Sequence, residues 1–212
     1  MIVTEFYNGQ GLGNQLWSYV VIRSLAWDLS YDFGIMHPEK FKGHDFLNLD
    51  FGQNVTGGLG PEGGPPLVLP NGIVNYYVEK GIWHPRFNCD VREFDSQLLK
   101  ISDNTKIDGY FQSERYIRTK KDAIREWLTV SPEYENYQFS LDNYCILNIR
   151  GGEYRGDPNL LLPKRYWKNA IANMLKIRGD MQFILLTDDI DYARKLLPEY
   201  NAFHFSVGED FS

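Results

Sequence analysis

Cysteine is scarce in this sequence: Cys89 and Cys145 are the only two among 212 residues. Their separation fits neither a metal-ligand pattern nor a disulfide framework, which argues against a structural zinc site and suits a reducing compartment. Basic stripes are missing too. Lys and Arg number 22 against 28 Asp and Glu, a net charge of −6, so the chain carries no nucleic-acid footprint. No run approaches the roughly 18 apolar residues of a membrane span. The opening Met1-Ile-Val-Thr-Glu-Phe6 has neither a basic segment nor a long apolar one, so no secretory signal is read and a cytoplasmic protein is expected. On that ground Asn54-Val-Thr56, which matches the glycosylation acceptor pattern, reads as chance. Small anions stay within reach, because a local cationic pocket can sit inside an acidic protein.

What is present suits a globular chain. The composition is 43% hydrophobic and 24% charged, enough to bury a core as one large domain or two small ones. Aromatics reach 15%, with 14 tyrosines and 5 tryptophans. Such a content fits a protein that handles sugars, and equally a tyrosine-rich core and rim.

The most informative stretch is Tyr144-Cys-Ile-Leu-Asn-Ile-Arg-Gly-Gly-Glu-Tyr154. Its apolar, β-branched start reads as a buried strand of a parallel sheet. It stops in Arg150, two glycines and Glu153. A charge at the carboxyl end of a buried strand projects into the crevice where open α/β sheets bind ligands. Arg150 offers a fixed fork of donors for phosphate or carboxylate, and Gly151 and Gly152 allow a close backbone approach. The alternative is an arginine paired with Glu153 that closes a turn.

Ile2 to Tyr7 reads as a first strand, followed by Asn8-Gly-Gln-Gly-Leu-Gly-Asn-Gln15 and a helix from Leu16 to Leu29, apolar nearly all round and so deeply buried. Strand, glycine-rich turn and helix together present backbone N–H groups to an anion. The dinucleotide fingerprint is not met, because Asn14 stands where its last glycine should fall, which argues against an NAD site. Asn14 and Gln15 either cap the helix or reach a ligand. Strands are further expected over 31–36, 72–78 and 106–112, and a helix over 120–128. Between Gly52 and Gly72 lie seven glycines and four prolines, a long irregular loop. The polar, aperiodic 131–141 reads as a linker. After the 144 strand, Pro163 opens an amphipathic helix through Leu175, closed near Gly179. A strand from Met181 to Thr187, a helix carrying Ile190 to Leu197 and a last strand over 202–206 complete a β-α-β-α-β order with a parallel sheet. Asp188 and Asp189 end the 181–187 strand, where they suit a metal, ribose hydroxyls or a helix N-cap.

Four of these stretches together resemble one family, the α-1,2-fucosyltransferases and their bacterial and viral relatives (glycosyltransferase family 11). Gly9-Gln-Gly-Leu-Gly-Asn-Gln15 is similar to the family's opening Gly-Gly-Leu-Gly-Asn-Gln loop, and Ile107-Asp-Gly-Tyr-Phe-Gln-Ser-Glu-Arg-Tyr116 to its Asp-Gly-Tyr-Phe-Gln-Ser-Glu stretch. Asn148-Ile-Arg-Gly-Gly-Glu-Tyr154 resembles its His-x-Arg-Arg-Gly-Asp-Tyr motif, and Leu186-Thr-Asp-Asp-Ile190 its Ser-Asp-Asp segment. The matches keep the family's order over nearly the whole chain.

The resemblance implies an α/β, GT-B-like fold of two Rossmann-like domains with parallel sheets: an acceptor-side domain over 1–130, a linker over 131–141, and a nucleotide-sugar domain over 142–212. That second domain would be incomplete, since the family continues beyond the point matching Ser212. It implies inverting, metal-independent transfer of fucose from GDP-fucose to a sugar hydroxyl, with no resident cofactor. Arg150 would hold the β-phosphate of the departing GDP, and Glu153 would act as a base or orient Arg150. Gly11, Gly13, Asn14, Gln15, Asn148, Gly152, Tyr154, Asp188 and Asp189 would contact substrates. A nucleotide-sugar donor and a glycan acceptor are the expected partners, with no nucleic acid and no membrane span, and self-association through an exposed sheet edge. Three departures stand out: Asn148 for the family's histidine, Gly151 for its second arginine and Glu153 for its aspartate. They favour an alternative, a relative that binds a nucleotide sugar or glycan without turnover.

Overall fold

The computed structural model describes residues 1–55, 72–84, 89–134, 142–156 and 160–199. Most of the glycine- and proline-rich stretch, residues 135–141 of the expected linker and the expected strand over 202–206 lie outside these residues. The chain divides into two compact units: the first holds Met1–Tyr134, and the second takes up the chain from Glu135. Both mix helices with parallel strands.

Unit 1 is built on a four-stranded parallel sheet in the order β2-β1-β6-β3: Phe33–Met36, Ile2–Glu5, Thr105–Asp108 and Asn75–Val78. Strand β1 runs into helix α1 (Leu12–Leu29), which leads to the neighbouring β2. Successive strand residues face opposite sides of a sheet. Ile2, Ile35 and Ile107 therefore join Tyr19, Ile22 and Leu25 of α1 in the main core, while Val3 and Met36 pack with Ile73 on the other face. Between β3 and β6 lies an antiparallel hairpin of β4 (Gly81–His84) and β5 (Cys89–Arg92), which no sequence signal announced. A short helix α2 (Lys121–Trp127) follows β6. Trp127 lies 6.2 Å from Trp27, and the Arg23 guanidinium stands 4.5 Å above the Trp127 ring.

The boundaries differ from the sequence reading in instructive ways. Helix α1 begins at Leu12 and not Leu16, so Gly13, Asn14 and Gln15 form its first turn and the glycine-rich turn ends at Gly11. Glycine and asparagine are poor helix formers, but the buried face from Gln15 to Ala26 carries the helix through them. Ser30, in the left-handed region at φ 57°, closes it. Strand β6 stops at Asp108 and not at residue 112, because Phe111 takes φ 49° and breaks the extended run.

Unit 2 pairs β7 (Tyr144–Ile149) with β8 (Gln182–Thr187) in parallel, Tyr144 opposite Gln182 and Ile149 opposite Thr187. Helix α3 (Lys164–Ile177) connects them, and α4 (Ile190–Leu196) follows β8. Leu147, Ile149, Leu185, Trp167, Ile171, Ala193 and Leu197 form its core. Among the described residues no helix is long and apolar enough to cross a membrane.

Candidate functional site

In unit 2 the turns after β7 and β8 meet at the carboxyl edge of the strands. Asp188 receives the Gly151 amide on Oδ1 at 2.7 Å and the Arg150 Nε on Oδ2 at 3.0 Å. Arg150, about half exposed, also lies 4.9 Å over the Tyr154 ring. Asp188 is thus one partner of Arg150; the Arg150–Glu153 pair weighed from the sequence involves a side chain outside the described residues. Asn148, Arg150, Tyr154, Trp167 and Tyr192 border a hollow of about 120 Å³. That is smaller than the ~300–1,000 Å³ of a typical small-molecule pocket, room for part of a ligand.

Both glycines here are set by packing. A Cβ on Gly151 would come within 2.8 Å of the Asp189 Cβ and of the Tyr192 ring, and one on Gly152 within 3.0 Å of Asp188 Oδ2. No second arginine fits at 151 without moving the β8–α4 turn.

Asp189 takes the capping role. Its Oδ1 accepts the Tyr192 amide at 2.9 Å, and its Oδ2 accepts from Arg155 at 3.0 Å. The Tyr192 amide is the main reason its carboxyl sits below the usual range; partial burial works against this and Arg155 adds to it. A depressed folded-state pKa gives stability that is fully present above the ordinary value of 3.8 and is lost as pH falls through the folded value. Asp189→Ala is therefore expected to cost unit 2 about 0.5–2 kcal/mol at neutral pH. In urea unfolding series, that deficit should shrink steadily as pH drops below the ordinary value.

In unit 1 the glycine loop gives a mixed result. Gly11 is the N-cap of α1 without a side-chain cap, and no acidic residue occupies the first turn. A Cβ on Gly11 or Gly13 would meet nothing within 4 Å, so that surface stands open. Asn14 Oδ1 accepts from Gln112 Nε2 at 2.7 Å. Gln15 is fully buried: its Nε2 donates to the Lys40 carbonyl at 2.8 Å and its Oε1 accepts the Lys42 amide at 2.9 Å. It fastens the 37–42 segment to α1. Gln10, 2% exposed, finds no hydrogen-bond partner for its amide among the described residues.

Sequence reasoning missed one cluster altogether. On the sheet face opposite α1, Lys106 is completely buried, its Nζ 2.8 Å from both Glu5 Oε2 and Asp108 Oδ2. Its ammonium also lies 5.3 Å from the Tyr76 ring, and the Tyr76 hydroxyl donates to Asp108 Oδ2. Burial first, and the Asp108 carboxylate second, push the Tyr76 phenol well above its ordinary range, so it remains a donor. Among the described residues no group of three or more His, Cys, Asp or Glu is arranged to hold a metal ion. No known family model and no curated protein sequence matches the chain.

Proposed function

We propose that the chain is a GT-B-type, fucosyltransferase-like glycosyltransferase that holds a GDP-sugar, GDP-fucose in the first place, and passes the sugar with inversion to a glycan hydroxyl without a metal. The observation that supports this best is Arg150. It stands at the carboxyl end of a parallel strand, where α/β sheets bind ligands, and Asp188, itself held by the Gly151 amide, fixes its guanidinium. An arginine held in advance stabilises the charge that grows on a departing diphosphate without reorganising at that moment. In this reading the acceptor hydroxyl oxygen forms the new bond to the anomeric carbon and gives up its proton to a base, the role the resemblance offers Glu153, while the old bond leaves its electron pair on the β-phosphate beside Arg150. Asp188 orients Arg150 in this reading, beside the base or orienting role that the resemblance gives Glu153. Within unit 1, the open backbone at Gly11 and Gly13 suits an anion.

Binding without turnover is the second reading. It is favoured by Gly151, whose packing leaves no space for the family's second arginine. Calorimetric titration with GDP, then GDP-fucose and other GDP-sugars in the presence of a chelator, tests the donor claim, and release of free GDP on adding glycan acceptors separates the two readings. Absence of GDP binding by a cooperatively folded sample would overturn the donor claim.

A further inference from the structure

Unit 1 has a concave surface of its own, lined by none of the residues assigned to the nucleotide. At the carboxyl ends of β1, β3 and β6, on the sheet face opposite α1, Tyr7, Asn8, Glu79, Arg92, Asp108 and Tyr110 line a cavity of about 370 Å³. This volume falls within the ~300–1,000 Å³ of small-molecule sites. The cavity is built and not incidental. Glu79, 6% exposed, accepts the Tyr110 amide at 2.8 Å and the Phe111 amide at 3.1 Å, with Arg92 Nε at 3.8 Å. These bonds hold the Gly109–Phe111 backbone, including the left-handed Phe111, against the rim. Backbone conformations of that kind persist where the surroundings over-determine them, as ligand sites do.

The chemistry of the lining selects the ligand. Asp108 is 8% exposed, yet both of its side-chain bonds, from Lys106 and Tyr76, fall on Oδ2. Its Oδ1 accepts none among the described residues. A carboxylate oxygen open to the cavity is an acceptor that a ligand hydroxyl can use. Around it stand hydroxyls and an amide that both give and accept hydrogen bonds, at Tyr7, Tyr110 and Asn8. Burial first, and the neighbouring Tyr110 next, keep the Tyr7 phenol protonated. Three carboxylates (Glu5, Glu79, Asp108) face two cations (Lys106, Arg92), and His37 lies 3.9 Å from Glu5. No positive surplus remains to hold a phosphate. Alternating donors and acceptors beside phenol rings match a ligand whose hydroxyls do both and whose ring faces are apolar.

We propose that this cavity binds a neutral, polyhydroxylated ring, a sugar, with Asp108 Oδ1 accepting from a ligand hydroxyl and Tyr7 and Asn8 bonding its neighbours. The proposal does not depend on the transferase reading: its residues all belong to unit 1, and its test uses no nucleotide.

The test is saturation-transfer NMR and calorimetry of the full chain with D-glucose, D-galactose, D-mannose and N-acetyl-D-glucosamine, with inorganic phosphate and ethanolamine as comparators. At least one sugar should bind with a Kd of about 1 mM or tighter. Asp108→Asn should weaken it at least about tenfold, the usual scale for a bond to a charged acceptor. Because that change also touches Lys106, Tyr7→Phe and Asn8→Ala provide the decision if Asp108→Asn fails to fold; each should weaken binding severalfold. The proposal is overturned if no sugar binds the folded chain, if these variants leave binding unchanged, or if phosphate or ethanolamine binds in place of the sugars.

Discussion

Replacing Arg150 by alanine should weaken GDP binding by about 10- to 100-fold and leave the thermal unfolding of the chain almost unchanged. The size follows from a charge-assisted hydrogen bond, about 1.5–3 kcal/mol, at about 1.4 kcal/mol per factor of ten. The small stability effect follows from exposure: Arg150 and Asp188 are 48% and 36% exposed, and pairs so open to water contribute little to folding. Two controls sharpen the result. Arg150→Lys keeps the charge but loses the planar fork, and should recover only part of the affinity. Asp188→Asn removes the carboxylate that positions the guanidinium, and should weaken GDP binding less than the loss of Arg150 itself. Equal affinity in Arg150→Ala and the parent would remove the basis for the donor site.

The second large effect is on stability. Lys106→Met should destabilise unit 1 by about 3–5 kcal/mol, the range for removing one partner of a buried ion pair. The methionine fills much the same space, so the cost is electrostatic: Glu5 and Asp108 lose the ammonium that holds them 2.8 Å away on either side. Adding Glu5→Gln and Asp108→Asn to Lys106→Met should return a large part of that loss, because buried ion groups replaced together are often nearly neutral. Chemical unfolding of the single and triple variants measures both quantities. A Lys106→Met chain as stable as the parent would mean that the network contributes nothing to the fold.

Lys106 also shows where sequence reading reaches its end. A lysine in the middle of Thr105-Lys-Ile-Asp108 looks like a solvent-facing position of an edge strand. Parallel register places Lys106 between Val3 of β1 and Tyr76 of β3, inside the sheet. Asp108 is its neighbour two residues along the same strand, but Glu5 comes from β1, about a hundred residues earlier, and local pattern carries no trace of that pairing. By contrast α3 was legible, since Trp167 and Ile171 repeat at the spacing that buries one face of a helix. Strands β1 and β7 were legible from apolar runs ending in charge or glycine, but β7, expected to be buried, is buried on one face alone: Leu147 and Ile149 enter the core while Ile146 is 62% exposed. The Arg150 turn was legible in its location, whereas its contact with Asp188 was not: Asp188 approaches only because β8 pairs with β7 in parallel. Gln15 misled for a related reason. Its place beside the glycines suggested a ligand contact, and the 37–42 backbone, out of sight in the local sequence, uses both ends of its amide.

The tryptophans give the molecule a built-in optical record of its own parts. Trp167 lies in the core of unit 2, 8% exposed, whereas Trp27 and Trp127 sit side by side in unit 1 with Arg23 over one ring. Emission from the unit 1 pair depends on a contact that exists only while α1 and α2 remain packed, and Trp167 responds to wetting of a different core. Four of the five tryptophans, Trp17, Trp27, Trp83 and Trp127, belong to unit 1 and Trp167 alone to unit 2, so a chain carrying Trp167→Phe would report on the loosening of unit 1 without the other core's contribution.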